Sequence, residues 1–255
     1  MSDRGTGILP GTLEDRIAVV IGATGGIGEH TARALADAGA SVALLARRAE
    51  RLDRIAFEIE QSGGRALVFP VDITDPLAIE RVGDRVRTEM GSAGILVTNA
   101  GLGGSSPARF LHQRDWARQV DVNVAATTFA IGVFVDHLLA AGRDQGVADL
   151  VTIASMSAAA PVAGFSVLEA TKAYVLTLSD NLRVELGPSG VRVTTVVPDD
   201  VLDGVRPEGE LEPPVLTEDV AEVITFAVGL PPRVSLRQIS VRSTAHPSPA
   251  GPSAS

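Results

Sequence analysis

Gly22-Ala23-Thr24-Gly25-Gly26-Ile27-Gly28 follows a short apolar run, Ile17 to Ile21, and leads into residues with helical spacing. Glycines there let the backbone approach a pyrophosphate. The helix start offers unpaired N–H groups and a positive dipole end to the phosphate charge. Its place between a strand and a helix separates this loop from an ordinary glycine turn. A second apolar run ends at Ala46 and is followed by Arg47 and Arg48. An acid here would bind the ribose of NAD, whereas arginine without an acid suits a 2′-phosphate, which guanidinium pairs bidentately. NADP(H) is therefore the expected cofactor, with Arg47 the first choice for the phosphate and Arg48 the next. Both could instead be solvated charges at a helix start. Asp72-Ile73 and Thr98-Asn99-Ala100-Gly101 follow the third and fourth apolar runs, at strand ends where ligands bind in parallel sheets. Taken singly, Asp72 would serve equally as a helix-capping acid, and Asn99 as a turn residue.

The elements that must position these groups alternate. Strands are expected at Ile17 to Ile21, Ser41 to Leu45, Ala66 to Pro70, Ile95 to Thr98, Leu150 to Ile153, Val191 to Val197 and Leu236 to Val241. Helices are expected at Gly26 to Ala38, Ala49 to Gln61, Pro76 to Glu89, Asp115 to Ala140, Ser166 to Leu186 and Thr217 to Val228. Proline at the first turn of the third helix suits that position, and the last helix carries a Thr cap with acids after it. Apolar strands separated by helices imply an α/β fold: a Rossmann-type, doubly wound parallel sheet covered on both faces, in a single domain. That domain is placed at residues 13–243, between a flexible N-terminal segment, 1–12, and a Pro/Ser/Ala-rich tail, 244–255, expected to be disordered. Asp199 to Val215 is the longest irregular stretch, and its Pro, Gly and acidic content suits a mobile loop or lid.

Composition narrows the partners. The net charge of −9 disfavours nucleic acid or an anionic membrane surface. No run approaches the roughly 18 apolar residues that span a bilayer, and the polar, Gly-rich start does not look like a signal peptide, so a cytoplasmic location is expected. With no cysteine there is no disulfide, thiolate nucleophile or Cys-based metal site, and no metal is expected. Arginine supplies all basic charge except Lys172, and Tyr174 is the one tyrosine.

In their order and spacing these motifs resemble the short-chain dehydrogenase/reductase family, NADP-preferring branch, over about residues 13–243. The family's first glycine motif matches Gly22, Gly26 and Gly28, its adenine-side aspartate Asp72, its Asn-Asn-Ala-Gly motif Thr98 to Gly101, and its structural and catalytic asparagine Asn123. Its chemistry rests on Asn, Ser, Tyr and Lys. The resemblance assigns the serine, which positions the substrate oxygen, to Ser155. It assigns the lysine, which holds the nicotinamide ribose and lowers the tyrosine pKa, to Lys172. The tyrosine lies four residues before the lysine and thirteen after the serine, and both counts land on Leu168. Tyr174 is six positions further on, about 9 Å by helical rise and roughly 120° round the axis. It is expected to pack or to meet a subunit. Pro198 stands where the family has Pro-Gly beside the nicotinamide carboxamide, but Asp199 follows it; this carboxylate would point either into that pocket or to solvent.

Leucine neither donates nor accepts a proton, so three functions stay open. One is reduction of a C=O, C=N or C=C bond of a small molecule, with Ser155 orienting the oxygen and Lys172 or a water relaying the proton. Some members of the superfamily, the 2,4-dienoyl-CoA reductases, also lack this tyrosine. Another is non-redox dehydration, cyclisation or isomerisation in a biosynthetic pathway, drawing on Asp199, Asp200, Glu169 or His112. The third is a pseudoenzyme that binds NADPH. The resemblance also implies a homodimer or homotetramer through the helices Asp115 to Ala140 and Ser166 to Leu186.

Overall fold

The computed structural model describes residues 13–104, 108–110, 113–155, 163–199, 201–202 and 215–244. Among these, seven parallel strands form one sheet in the order β3-β2-β1-β4-β5-β6-β9. They are β1 (Ile17–Ile21), β2 (Ser41–Ala46), β3 (Arg65–Pro70), β4 (Ile95–Thr98), β5 (Ala148–Ile153), β6 (Val191–Pro198) and β9 (Gln238–Val241). Helices α1 (Gly26–Asp37), α2 (Ala49–Gln61), α3 (Pro76–Glu89), α4 (Gln113–Val120), α5 (Thr127–Gln145), α6 (Ser166–Leu186) and α7 (Thr217–Gly229) cover both faces. One core packs under α1, α2 and α7 around Val20, Leu44 and Ile224. The other packs under α3, α5 and α6 around Ile21, Phe69 and Phe134. This two-sided burial is why β1, β2 and β4 read as near-continuous apolar runs. The strand order reverses between β1 and β4, which opens a crevice at their C-terminal ends.

Four details differ from expectation. The long helix is not uniform: Asp121–Ala126 forms a π-helical turn between α4 and α5. Such a turn holds one residue more than an α-turn and re-aims the side chains after it. Second, the helical stretch Gln113–Gln145 contains an 18-residue window with a mean hydropathy of 1.7, long and apolar enough to cross a membrane by composition. Its residues Ala130, Ile131, Phe134, Leu138 and Ala141 are buried in the core, so its apolarity is accounted for by the sheet it covers. Third, Thr217 does not cap α7. It is the first helical residue, the cap position is Leu216, and the Asp219 carboxylate accepts from the Leu216 N–H at 2.8 Å. The Thr217 hydroxyl instead meets His30 Nδ1 of α1 at 2.9 Å. Fourth, the irregular stretch after β6 is tied at both ends by a parallel pair, β7 (Val201–Leu202) with β8 (Val215–Leu216). Residues 203–214 between them lie outside the described set, as do 1–12 and most of the tail.

A buried ion cluster closes the N-terminal end of the sheet. Arg192 donates to both Asp149 oxygens, at 2.8 and 3.0 Å, and Arg16 donates to Oδ2 at 2.8 Å. The two guanidiniums also hold the Val228 carbonyl at the end of α7. Removing the one carboxylate would leave two buried cations unneutralised, and breaking such an arrangement costs about 3–5 kcal/mol. Asp149→Ala is therefore expected to lower the unfolding free energy by that amount in urea titrations. A loss below about 1 kcal/mol would show the arginines satisfied by carbonyls alone.

Candidate active site

The crevice at the β1/β4 reversal is a cleft of about 780 Å³. Of the residues singled out from sequence, Gly22, Thr24, Arg47, Arg48, Asp72, Ile73, Asn99, Ala100 and Gly101 line it. Gly22 has φ +80°, and a Cβ there would stand 2.7 Å from the Ala100 N, so only glycine lets β1 turn beside β4. Asn99 Nδ2 donates to the Gly22 carbonyl at 3.2 Å, which fixes the loop from the β4 side. Gly26 and Ile27 open α1, and Ile27 packs on the core. Gly28 lies behind the loop, where a Cβ would come within 2.2 Å of the Gly22 carbonyl oxygen. It brings helix and loop together. No side chain caps α1, whose first N–H groups therefore have no partner within the helix.

Arg48 Nη2 donates to the Thr24 carbonyl at 2.6 Å and lies against the glycine loop. Arg47 is exposed at the cleft mouth. Asp72 is not a helix cap: Asp75 caps α3 by accepting from Ala78 N at 3.0 Å. The Asp72 Oδ1 accepts from the Thr74 N–H at 3.0 Å and its hydroxyl at 2.8 Å. The Thr74 N–H bond first, then the hydroxyl and the charges of Arg47 and Arg118, hold this carboxyl below its ordinary range against partial burial.

A second group of predicted residues meets beside Gly101. Lys172 on α6 donates from Nζ to the Ile153 carbonyl at the end of β5, at 2.9 Å. Burial pushes its ammonium down from 10.5 to about 8. Asn123 sits in the π-turn. Its Oδ1 accepts from Leu102 N at 2.7 Å, and its Nδ2 donates to Leu102 O at 3.0 Å and Thr171 Oγ1 at 3.1 Å. A Cβ on Gly101 would lie 3.5 Å from Asn123 Oδ1 and 3.6 Å from Lys172 Nζ, so both groups converge on this glycine. Ser155 is half-buried two residues beyond Ile153. Leu168, half-buried and one helical turn before Lys172, accepts at its carbonyl from the Thr171 hydroxyl at 2.7 Å. Pro198 ends β6 beside Val241.

Asp199 resolves towards a partner. Its carboxylate lies 3.5 Å from Arg242 Nε beyond β9, and its N–H bonds the Val241 carbonyl at 2.9 Å. Tyr174 is turned away from Lys172, with its hydroxyl 2.9 Å from Thr128 on α5. Asp200 and His112 lie outside the described residues. Sequence reasoning missed Arg118 of α4, which lines the cleft; an arginine on a polar helix carries no periodic signal. Among the described residues no group of three metal-binding side chains gathers.

Residues 16–207 match the family model for short chain dehydrogenases. The chain belongs to the short-chain dehydrogenase family. Its members are oxidoreductases that use NAD(P)(H) and act on small molecules. The chain is 30% identical over 236 residues to an uncharacterized oxidoreductase of Staphylococcus aureus, covering 90% of this chain and 98% of that one. It is 32% identical over 241 residues to sulfoacetaldehyde reductase 2 of Chromohalobacter salexigens, covering 89% and 94%. Among solved structures, a metagenomic short-chain oxidoreductase in complex with NADP superposes with a TM-score of 0.80 at 28% identity, covering 92% of this chain and all of that one. In this short-chain dehydrogenase the glycine loop follows β1 and Ser155 follows β5, while Asn123 lies in the π-turn and Lys172 on α6.

Proposed function

We propose that this short-chain dehydrogenase holds NADP(H) and reduces a C=O, C=N or C=C bond of a small molecule, with Lys172 as proton source in the absence of a tyrosine. The observation that carries the reading is Lys172: its Nζ stands beside Gly101 with an ammonium pushed down to about 8, while the side chain one turn before it is apolar Leu168. The cleft fits the cofactor. Gly22 admits backbone at van der Waals limits, the start of α1 is uncapped, and Arg47 and Arg48 follow β2 without an acid between them. Bound there, the nicotinamide would supply hydride. Ser155 orients the substrate oxygen or nitrogen. The Lys172 ammonium releases a proton to it and regains one from solvent. Asn123 clamps Leu102 and so holds the wall on which both groups act. Arg47 and Arg48 select the 2′-phosphate. The similarity to sulfoacetaldehyde reductase 2 of Chromohalobacter salexigens and to the metagenomic protein in complex with NADP supports this reading.

The non-redox alternative would draw on Asp199, Asp200, Glu169 or His112, and of these Asp199 is paired with Arg242 at 3.5 Å. Assembly is proposed through α5 and α6, where Phe129, Tyr174 and Val184 leave apolar surface exposed.

NADPH carrying deuterium at C4, supplied with a panel of aldehydes, ketones, imines and enones, tests the proposal. Deuterium is expected in the product. Tight NADPH binding with no deuterium transferred across the panel would overturn it. Product formed without change in cofactor redox state would favour the non-redox reading.

A further inference from the structure

We infer that Arg118 forms the outer wall of the adenine subsite, laying its guanidinium on the purine face from the side opposite Arg47. The inference rests on the dinucleotide reading above and goes beyond it, because it assigns a binding residue on a helix that no motif marks.

Arg118, Val122, Ala125 and Phe129, from α4, the π-turn and α5, all line the cleft. They form a continuous wall on the β4 side of the crevice. The facing wall comes from the ends of β2 and β3, through Ala46, Arg47, Asp72, Ile73 and Thr74. A slot walled by Val122 and Ile73 suits a flat apolar ring, and Asp72 offers an acceptor for an exocyclic amine. Arg118, four residues before Val122, is exposed on α4 and lines the same cleft. It is close enough for its charge to act on Asp72 together with that of Arg47.

Arg118 is also not committed elsewhere. Arg33, Arg51 and Arg54, on α1 and α2, pair with Glu29 or Glu58. Among the described residues no carboxylate lies within salt-bridge distance of Arg118. Planar guanidinium stacks on aromatic faces in a way that an ammonium does not. The 2′-phosphate is left to Arg47 and Arg48, which come from the other wall at the end of β2. Because every nicotinamide dinucleotide carries the purine, Arg118 would add affinity without selecting between NADPH and NADH.

Calorimetric titration of the full chain with NADPH and with NADH tests this. Arg118→Ala is expected to weaken both ligands by a similar factor, about 5- to 20-fold. Arg47→Ala is expected to weaken NADPH alone. Arg118→Lys, which keeps the charge and loses the plane, is expected to restore little. Thermal melts should match the wild type, since Arg118 is exposed. Unchanged affinity in Arg118→Ala, weakening confined to NADPH, or full recovery by lysine would each overturn the assignment. If the wild-type protein binds neither dinucleotide, the cofactor reading itself falls. If it binds and only Arg118→Ala is silent, the cofactor reading stands alone.

Discussion

Leu168→Tyr is expected to raise reduction of simple aldehydes and ketones by about 10²–10⁴-fold, the usual worth of a positioned general acid. Leu168 and Lys172 are four residues apart on α6, so their side chains share one helix face. A phenol at 168 would stand beside the Lys172 ammonium, and an adjacent cation favours the phenolate and lowers the phenol pKa. Asn123, Ser155 and Lys172 are already gathered around the end of β5 and Gly101. Steady-state NADPH oxidation on a carbonyl panel, with a melt to confirm folding, reads the result. No gain, with NADPH affinity intact, would mean that the substrate pocket has diverged along with the tyrosine.

The second large effect concerns Lys172 itself. If its ammonium is the proton source, kcat/KM for reduction should hold below pH 8 and fall about tenfold per pH unit above it, because the proton-bearing form is lost as pH rises through about 8. Lys172→Arg keeps a charge that does not titrate in this range. It should lower turnover by about 10²–10³-fold and abolish the pH dependence. A pH profile unchanged by that substitution would remove Lys172 from the proton path and leave water in its place. Folding feels the same displacement with the opposite sign. Between about 8 and 10.5 the unfolded chain binds more protons at this lysine than the folded chain, so its contribution to stability rises with pH.

Most of the frame was legible because its signals are local. Pro76 at the start of α3, Gly39 after α1 and Gly187 after α6 punctuate the chain, and α2, α3 and α6 have the bounds read from sequence. The π-turn was not legible, since Val120, Val122, Val124, Ala125 and Ala126 are apolar on nearly every side and leave no stripe whose shift could be read. The polar Asn123, buried at 2% exposure within that stretch, was the available clue to irregular backbone. The Thr217 cap failed for a non-local reason: its hydroxyl meets His30, 187 residues away in sequence. Asp199 was left between pocket and solvent for the same reason, because Arg242 reaches it only once β9 lies beside β6. The cleft positions of Gly22, Arg47, Asp72 and Asn99 could be read, and that of Arg118 could not. A motif records spacing along one strand end or one helix turn, whereas Arg118 gains meaning only from the wall that faces it.

Lys172 is the only lysine in the chain, and burial leaves a larger share of it as free amine at neutral pH than an ordinary ε-amine has. Apart from an α-amino terminus, the protein therefore offers amine-directed reagents a single address, inside the reaction site. A reductively trapped aldehyde or an activated ester placed there would report occupancy of the cleft without mutation. Protection by bound dinucleotide would follow the ligand through any assay, including one in which no turnover is found.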